Sequence, residues 1–194
     1  MKCIKLFLIV LLSFSIFTFP AEKVFKGEIT PAENEKYFKE VLPLIKNAKE
    51  SIYVIMFLTG YYPEHPESLT NQIFSELIKA KKRGLKVEII LEQSDVPGYS
   101  NTTEKNLKTA RFLSNNGISV YFDSPEKTTH SKLVIIDKKF VIIGSTNWTY
   151  YALTKNNETS VIIKSPELAK YFLRYYEKIK KECKTKFIPR RRKY

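Results

Sequence analysis

Apolar residues in this chain fall into short continuous runs that alternate with stretches of helical periodicity. The runs at 51–58 and 85–91 are rich in β-branched residues, which is typical of strands buried on both faces. Between them, 69–83 repeats apolar positions at helical spacing, and its last turn is Lys-Lys-Arg followed by Gly84. Basic residues and a glycine both favour a helix end at this point. The pattern therefore predicts an alternating α/β domain.

The same criteria assign the remaining elements. Thr30 is expected to cap a helix that has Pro31 in its first position and Glu33 three residues after the cap. The predicted strands are 24–29, 51–58, 85–91, 118–122, the two arms of a hairpin around Asp137, and 158–163. The predicted helices are 31–49, 69–83, 104–115 and 166–182, the last with an apolar face of Leu168, Tyr171, Phe172, Tyr175 and Ile179. A hairpin is antiparallel, so we predict a mixed β-sheet covered by helices on both faces.

The first 21 residues differ in character from the rest. Two lysines, Lys2 and Lys5, precede a stretch without charge that extends to Ala21. This layout is typical of an export signal, and the apolar core at 6–19 is short for a membrane-spanning helix. We expect an exported protein, periplasmic or secreted, with cleavage near Ala21. The alternative is an uncleaved N-terminal membrane anchor formed by 6–19. The chain then divides into a domain at 22–183 and a basic tail at 184–194.

Charge narrows the choice of partners. The chain has 33 basic and 20 acidic residues, a net charge of +13. Removal of residues 1–21, which hold two lysines and no acid, leaves 31 basic and 20 acidic residues and a net charge of +11. A positive surface favours polyanionic partners such as nucleic acid or anionic phospholipid. A lysine-rich surface with no partner is the alternative.

Cysteine and histidine are scarce. The two cysteines are Cys3, inside the N-terminal segment, and Cys183, so no internal disulfide is expected once that segment is removed. The two histidines are His65 and His130, and no Cys/His cluster has the spacing of a zinc site. We expect Cys183 to be a free thiol, with an intermolecular disulfide as the alternative. We also expect neither a metal nor a cofactor.

Polar residues that could take part in catalysis lie at the ends of the predicted hairpin. Side chains alternate faces along a strand, so His130 and Lys132 point to the same side, whereas Asp137 points to the other and lies at the turn. We expect Ile136 to face roughly Val141. His130 and Lys132 would then face the segment that contains Gly144, Ser145 and Asn147. This register predicts that the polar groups converge, away from Asp137.

These residue types together suit a phosphodiester. Lys132 would supply positive charge to a phosphoryl oxygen, and Ser145 and Asn147 would supply directed hydrogen bonds. His130 would attack phosphorus or move a proton. A histidine next to a core strand is more often a buried structural residue, but these four residues together with Gly144, at these spacings, favour the catalytic interpretation.

The full pattern resembles the signature of the phospholipase D superfamily. It reads His130-x-Lys132-x4-Asp137-x6-Gly144-Ser145-x-Asn147. The segments at 48–52 and 79–87, together with Asn157-Glu158, are similar to the small exported bacterial endonucleases of that superfamily. The resemblance implies a phospholipase D/nuclease-like α/β sandwich over roughly 24–182.

The resemblance also implies a role for each matching residue. His130 would form a covalent phosphohistidine intermediate, while Lys132 and Asn147 hold the phosphoryl oxygens with support from Ser145. Glu158 would orient the imidazole as the acid of a triad does. Asp137 and Gly144 would be structural. No metal would be required.

In-line displacement needs groups on opposite sides of phosphorus, and one histidine cannot serve both sides. Larger members of the superfamily have two copies of the motif, and this chain has one. The expected solution is a homodimer whose active-site faces bring two His130 side chains together across a two-fold axis. His65 is the alternative second histidine, although it lies between two prolines without a lysine partner and resembles a solvated loop residue.

The substrate stays open at this point, because the motif fixes the reaction better than the substrate. An exported nuclease is the first interpretation, with Lys79, Lys81, Lys82, Arg83 and the basic tail as possible backbone contacts. A phospholipase D acting on phospholipid head groups is the second, and it fits the anchor alternative. A non-catalytic nucleic-acid-binding module is the third, but binding alone does not require His130.

Overall fold

Seven strands form one mixed sheet in the computed structural model of the chain, which describes residues 23–93 and 102–183. The strands are β1 (Glu28–Pro31), β2 (Ser51–Met56), β3 (Lys86–Leu91), β4 (Ser119–Phe122), β5 (Lys132–Ile136), β6 (Phe140–Gly144) and β7 (Ser160–Lys164). Their order across the sheet is β1-β7-β6-β5-β2-β3-β4. β2, β3 and β4 are parallel, and every other neighbouring pair is antiparallel.

The helices cover both faces of the sheet, which confirms the predicted fold class. They are α1 (Glu35–Lys46), α2 (Leu69–Lys82), α3 (Thr102–Asn115), α4 (Tyr150–Thr154) and α5 (Pro166–Glu182). The first four contribute buried side chains to one core, together with strand residues such as Val54 and Val134. α5 packs on the opposite face, where Ala169 and Tyr176 meet Ile55 and Leu133. The alternation along each strand therefore feeds two separate cores.

The register of the central strands places several strand ends together. Met56, at the end of β2, pairs with Lys132, at the start of β5. β3 runs parallel to β2 and ends at the same level, where Met56 pairs with Leu91. β6 is antiparallel to β5 and therefore finishes here too, at Gly144. This end of the sheet is called the site edge below, and the β5–β6 turn defines the opposite end.

The strands and helices at the N-terminus differ from the prediction. β1 extends from Glu28 to Pro31 rather than over 24–29, and Pro31 pairs with Val161 instead of beginning a helix. α1 begins at Glu35 because Asn34 adopts φ 50 and its Oδ1 accepts the Glu158 N–H at 2.7 Å. Pro31 is tolerated because β1 is an edge strand. A contact between residues distant in sequence thus overrides the local helix-start pattern.

Smaller differences occur near the site edge. The short helix α4 was not predicted, and β5 begins at Lys132 rather than at His130. Ile136 pairs with Phe140 instead of Val141, a shift of one residue from the expected register. On α5, Tyr171 and Tyr175 are exposed rather than part of the buried face. The boundaries of α5 are as predicted. The C-terminal ends of α2 and α3 lie within two residues of Gly84 and Gly117, and both glycines have positive φ.

No helix within the described residues is both long and apolar enough to span a membrane. The N-terminal segment at 1–21 and the basic tail at 184–194 lie outside the described residues, as does the loop at 94–101.

Candidate active site at the site edge

His130 and Lys132 meet at the start of β5. Lys132 is the first residue of the strand and is only 8% exposed, whereas His130 lies just outside the strand and is exposed. The Nζ atom of Lys132 lies 3.2 Å from Nδ1 and 3.4 Å from Nε2 of the His130 ring, and it donates to the His130 carbonyl oxygen at 2.7 Å. A buried cation is thus held against an imidazole that solvent and substrate can reach.

Phe57 lies beneath both of these side chains. It follows the last residue of β2, and its N–H donates to the Ser131 carbonyl at 3.0 Å. The ring centroids of Phe57 and His130 are 4.3 Å apart, and the Lys132 Nζ lies 4.7 Å from the centre of the Phe57 ring. Sequence reasoning missed Phe57, because it ends an apolar run and has the pattern of an ordinary core residue. Only the β2–β5 pairing brings it to the motif.

Burial changes the protonation of both motif residues. It lowers the pKa of Lys132 to about 8, an effect that the negative charge of Glu158 partly opposes. Partial burial, and then the positive charge of Lys132, lowers the pKa of His130 below its usual value. At neutral pH the site therefore combines a neutral imidazole with a lysine that is still protonated. That combination provides a nucleophile and a cation in contact.

Gly144 allows β6 and β7 to approach closely at the site edge. A Cβ atom on Gly144 would lie 2.3 Å from the Thr159 carbonyl oxygen and 2.4 Å from the Ser160 Cα. The next residue, Ser145, then donates its N–H to the Thr159 carbonyl at 2.9 Å. The glycine is thus required for space rather than for an unusual φ, and it fixes where the following loop begins.

Ser145 and Glu158 lie at the end of this contact. The Ser145 hydroxyl donates to a carboxylate oxygen of Glu158 and accepts the Thr159 N–H at 3.0 Å. The other Glu158 oxygen accepts from the Asn156 amide at 3.0 Å. The Glu158 N–H donates to Asn34 Oδ1 at 2.7 Å, and the Glu158 carbonyl accepts the Asn34 N–H at 3.1 Å. Glu158 is buried, and its charge acts on Lys132. The structure therefore brings Glu158 into the same electrostatic cluster as Lys132.

Asn147 joins the β6 end to the segment that follows β2. Its Oδ1 accepts the Leu58 N–H at 3.2 Å. The neighbouring Trp148 is fully buried, its backbone N–H donates to the Leu58 carbonyl at 3.1 Å, and its indole N–H donates to the Tyr37 hydroxyl at 3.0 Å. Because its Oδ1 is engaged by the backbone, the amide NH₂ is the group that Asn147 can offer to a substrate oxygen.

Asp137 lies at the opposite end of the sheet from His130. Its carboxylate accepts backbone N–H groups from Lys49 at 2.9 Å, Glu50 at 2.7 Å and Ser51 at 3.1 Å. Its own N–H donates to the Ser51 carbonyl at 2.8 Å, and its φ is 53. It closes the α1–β2 connection against the hairpin turn. The placement agrees with the prediction that Asp137 lies at the turn, away from the histidine.

Three buried polar side chains support the loops of the site edge and were not found from the sequence. Asn106 accepts the Thr59 N–H at 2.8 Å and donates to the carbonyls of Phe57 and Glu92 at 2.8 Å each. The N–H of Thr129 donates to the carboxylates of Glu92 at 2.5 Å and Asp123 at 3.1 Å. These contacts fix Thr129, which precedes His130, and the segment at 57–59. Asn106 lies inside α3, and Glu92 and Asp123 directly follow β3 and β4, and none of these positions has a sequence signal for such a partner.

Two other sequence candidates lie away from the motif residues. Lys79, Lys81, Lys82 and Arg83 end α2 at the opposite end of the sheet, where Arg83 donates to the Ala48 carbonyl at 3.2 Å. His65 is exposed in the loop before α2 and lies 3.4 Å from a carboxylate oxygen of Glu67. Within residues 23–93 and 102–183, no three His, Cys, Asp or Glu side chains are grouped to hold a metal ion.

A family model described as cardiolipin synthase, PLD-like domain matches residues 41–180, well over half of the chain. The match contains the whole motif from His130 to Asn147 and also Glu158. The chain belongs to the phospholipase D superfamily. The resemblance inferred from the motif is thereby confirmed, and the superfamily fold agrees with the observed sheet.

Relatives within the superfamily differ in what they are named for. Phospholipase D of Rickettsia typhi is 34% identical over 135 residues, which cover 70% of this chain and 58% of the relative. Mitochondrial cardiolipin hydrolase of Mus musculus is 32% identical over 113 residues, which cover 57% of this chain and 48% of the hydrolase. This superfamily member therefore spans about half to three fifths of the length of these curated relatives.

A solved structure of the superfamily matches over nearly its full length. The crystal structure of the phospholipase D family member Nuc from Salmonella typhimurium has a TM-score of 0.68 and 28% sequence identity. The alignment covers 82% of this chain and 97% of Nuc.

Proposed function

We propose that the protein is a phosphodiesterase that hydrolyses nucleic acid through a phosphohistidine intermediate and needs no metal ion. The observation that carries this proposal is the contact between the exposed His130 ring and the buried Lys132 ammonium, 3.2 Å apart. A purely structural histidine has no need of a desolvated cation at this distance. Membership in the phospholipase D superfamily supports the reaction class.

The proposed reaction has two displacements. A neutral ring nitrogen of His130 attacks phosphorus, forming a P–N bond while the bond from phosphorus to the leaving oxygen breaks. Water then attacks phosphorus and gives its proton to the group that protonated the leaving oxygen, while the P–N bond breaks and the neutral imidazole of His130 is released. Lys132 and the amide of Asn147 neutralise and orient the phosphoryl oxygens in both steps. Ser145 and Glu158 position Lys132 and Asn147, because the Ser145 hydroxyl donates to the Glu158 carboxylate and the negative charge of Glu158 attracts the Lys132 ammonium.

A second proton carrier is required, because the leaving oxygen departs on the side opposite the attacking nitrogen. We propose that a homodimer supplies it, with the two active-site faces together and the partner's His130 protonating the leaving group. His65 is a weaker choice for this role. It is exposed in the loop before α2 and lies away from the His130–Lys132 pair.

Nucleic acid is the substrate that several features favour. The net charge after loss of the N-terminal segment is +11. A polyphosphate is held by many weak charge contacts, and such binding is sensitive to salt. The similarity to Nuc covers nearly all of that structure, whereas the matches to the curated phospholipase D and cardiolipin hydrolase stop at 58% and 48% of their lengths.

A phospholipase D that acts on phospholipid head groups is the second candidate. It is favoured by the names of those curated relatives, which reach 34% and 32% identity. An uncleaved anchor at 6–19 would hold such an enzyme at a membrane, where a basic surface meets anionic lipid.

The test compares wild-type protein, prepared with and without residues 1–21, with the His130→Asn variant of each form. All are incubated in EDTA with labelled single-stranded DNA, RNA, plasmid DNA and vesicles of mixed anionic phospholipids. We expect cleavage of nucleic acid by the wild type alone, and a phosphorylated histidine trapped on rapid acid quenching. Head-group release without nucleic-acid cleavage would establish the phospholipase. Nucleic-acid binding without cleavage in either form would establish a binding module instead.

A further inference from the structure

A cleft of about 700 Å³ opens next to the proposed active site and has no part in the chemistry described so far. Its walls come from the loop between β2 and α2 and from the first residues of α4. Its lining includes the aromatic side chains of Tyr62, Tyr150 and Tyr151, the apolar Leu69, and the polar His65 and Glu67. A cavity of this size, apolar with a few polar groups, is typical of a small-molecule site.

One wall of the cleft follows the motif closely along the chain. Tyr150 is three residues after Asn147, so the two Cα atoms are at most roughly 11 Å apart. The backbone between them is anchored, since the Trp148 carbonyl accepts the Gly60 N–H at 2.8 Å. The Tyr62 hydroxyl accepts the Tyr150 N–H at 3.1 Å and ties the two walls together. A substrate whose phosphate lies at Asn147 therefore has its adjacent unit within reach of the cleft.

The walls are fixed before any ligand binds. The side chain of Asn71 donates to the carbonyls of Tyr62 at 2.6 Å and His65 at 2.8 Å, and its oxygen accepts the Tyr62 N–H at 3.2 Å. A side chain on Gly60 would overlap the Tyr62 hydroxyl. The loop is thus built around one side chain of α2, so that the cleft is preorganised.

Two aromatic rings at the cleft face solvent. Tyr150 is 45% exposed and Tyr151 is 66% exposed, and their ring centroids are 5.4 Å apart at an interplanar angle of 81°. Neighbouring Tyr61, in contrast, is stacked on Phe112 and only partly exposed. Exposed aromatic faces are the surfaces on which unpaired bases stack, and stacking tolerates any base sequence.

The polar groups of the cleft favour a base over a phosphate or an acyl chain. The carboxylate of Glu67 would repel a phosphate, but it can accept hydrogen bonds from the amino groups of a base. An acyl chain has no groups that could form hydrogen bonds with this carboxylate or with the imidazole of His65. We propose that the cleft binds a nucleobase of single-stranded nucleic acid next to the scissile phosphate, with Tyr151 as the main stacking surface. This rests on the proposed nuclease function.

The test uses the full chain with Tyr151→Ala or Tyr150→Ala, and Tyr171→Ala as the matched control, because Tyr171 is also 45% exposed but lies on α5. Cleavage is measured on labelled single-stranded oligonucleotides in which one abasic site is moved stepwise past the cleavage position. In the wild type, one abasic position should raise KM roughly 5- to 100-fold. In Tyr151→Ala, intact oligonucleotide should already show that loss and the abasic site should add little. Tyr171→Ala should behave as wild type.

Other outcomes overturn the inference in distinguishable ways. If wild type and Tyr151→Ala cleave all oligonucleotides equally, the base subsite is wrong while the nuclease function stands. If neither cleaves nor binds nucleic acid, the proposed function itself is wrong and the subsite is lost with it. If Tyr151→Ala instead impairs hydrolysis of anionic phospholipid vesicles, the cleft is a lipid site.

Discussion

The Nζ atom of Lys132 lies 2.7 Å from the carbonyl oxygen of His130 and 3.2 Å from its Nδ1. Burial lowers the pKa of this lysine to about 8, well below the usual value of about 10.4. The cation needed for phosphate binding is therefore lost as pH rises through about 8. We predict a fall of kcat/KM near this pH, separate from the earlier fall at lower pH that follows when the partner's His130 loses the proton it donates to the leaving group. The pKa of His130 is also lowered, so the acidic limb should lie below about 6.5, where a free imidazole titrates.

The profile is measured with a fluorescent oligonucleotide from about pH 5 to about pH 10 at constant ionic strength. Lys132→Arg is the control, because a guanidinium keeps its charge throughout this range. Whatever activity this variant retains should lack the fall near pH 8. An alkaline limb at the same pH in Lys132→Arg would assign the titration to another group and contradict the prediction.

Phe57→Leu tests the ring beneath the motif. Leucine keeps the site apolar but removes the aromatic face that lies 4.7 Å from the Lys132 ammonium and 4.3 Å from the His130 ring. A cation–π contact contributes about 0.5–2 kcal/mol. We expect kcat to fall roughly 2- to 30-fold, with KM for long nucleic acid nearly unchanged because distant contacts hold that substrate.

Phe57→Tyr keeps the ring and should restore most of the rate. Phe112→Leu is a matched change at a ring that stacks on Tyr61 instead, and it should leave kcat unaltered. Equal rates for wild type and Phe57→Leu would mean that Phe57 only fills space.

Gly144 and Gly84 are needed for different reasons, the first for lack of space for a side chain and the second for its positive φ. Alanine at Gly144 would bring its Cβ to 2.3 Å from the Thr159 carbonyl, so β6 and β7 must move apart. We predict a loss of about 3 kcal/mol in the free energy of unfolding, with reduced kcat because Ser145 shifts. Gly84 has φ 93, and a Cβ added there would meet no atom within 4 Å, so alanine should cost only about 1–2 kcal/mol and leave kcat unchanged.

Urea unfolding measures both free energies, and initial rates under folding conditions give kcat. A Gly144→Ala variant as stable as Gly84→Ala would show that the strands can separate at little cost. The close approach of β6 to β7 would then not be needed to position the site.

The motif was predictable because strand alternation and one hairpin turn are local rules. They suffice to bring Lys132 near the end of β6, and an error of one residue in the register does not undo this. Phe57 and Asn106 were not predictable, because their contacts depend on which distant strands and helices become neighbours. The wrong prediction that Pro31 begins a helix has the same origin. Its helix-start pattern is local, whereas the pairing of β1 with β7 is not.

Asp137 lies seven residues from His130 along β5 and its flanks, roughly 20 Å away for an extended strand. Asp137→Ala should therefore lower stability without changing kcat of the folded protein. It removes an acceptor for the N–H groups of Lys49, Glu50 and Ser51 and places alanine at φ 53. We expect a loss of about 3 kcal/mol, and about 1 kcal/mol for Asp137→Asn, which keeps one oxygen and tolerates this φ. Thermal unfolding and initial rates below the transition separate the two effects. A fall in kcat for fully folded Asp137→Asn would instead link this end of the sheet to the chemistry at the site edge.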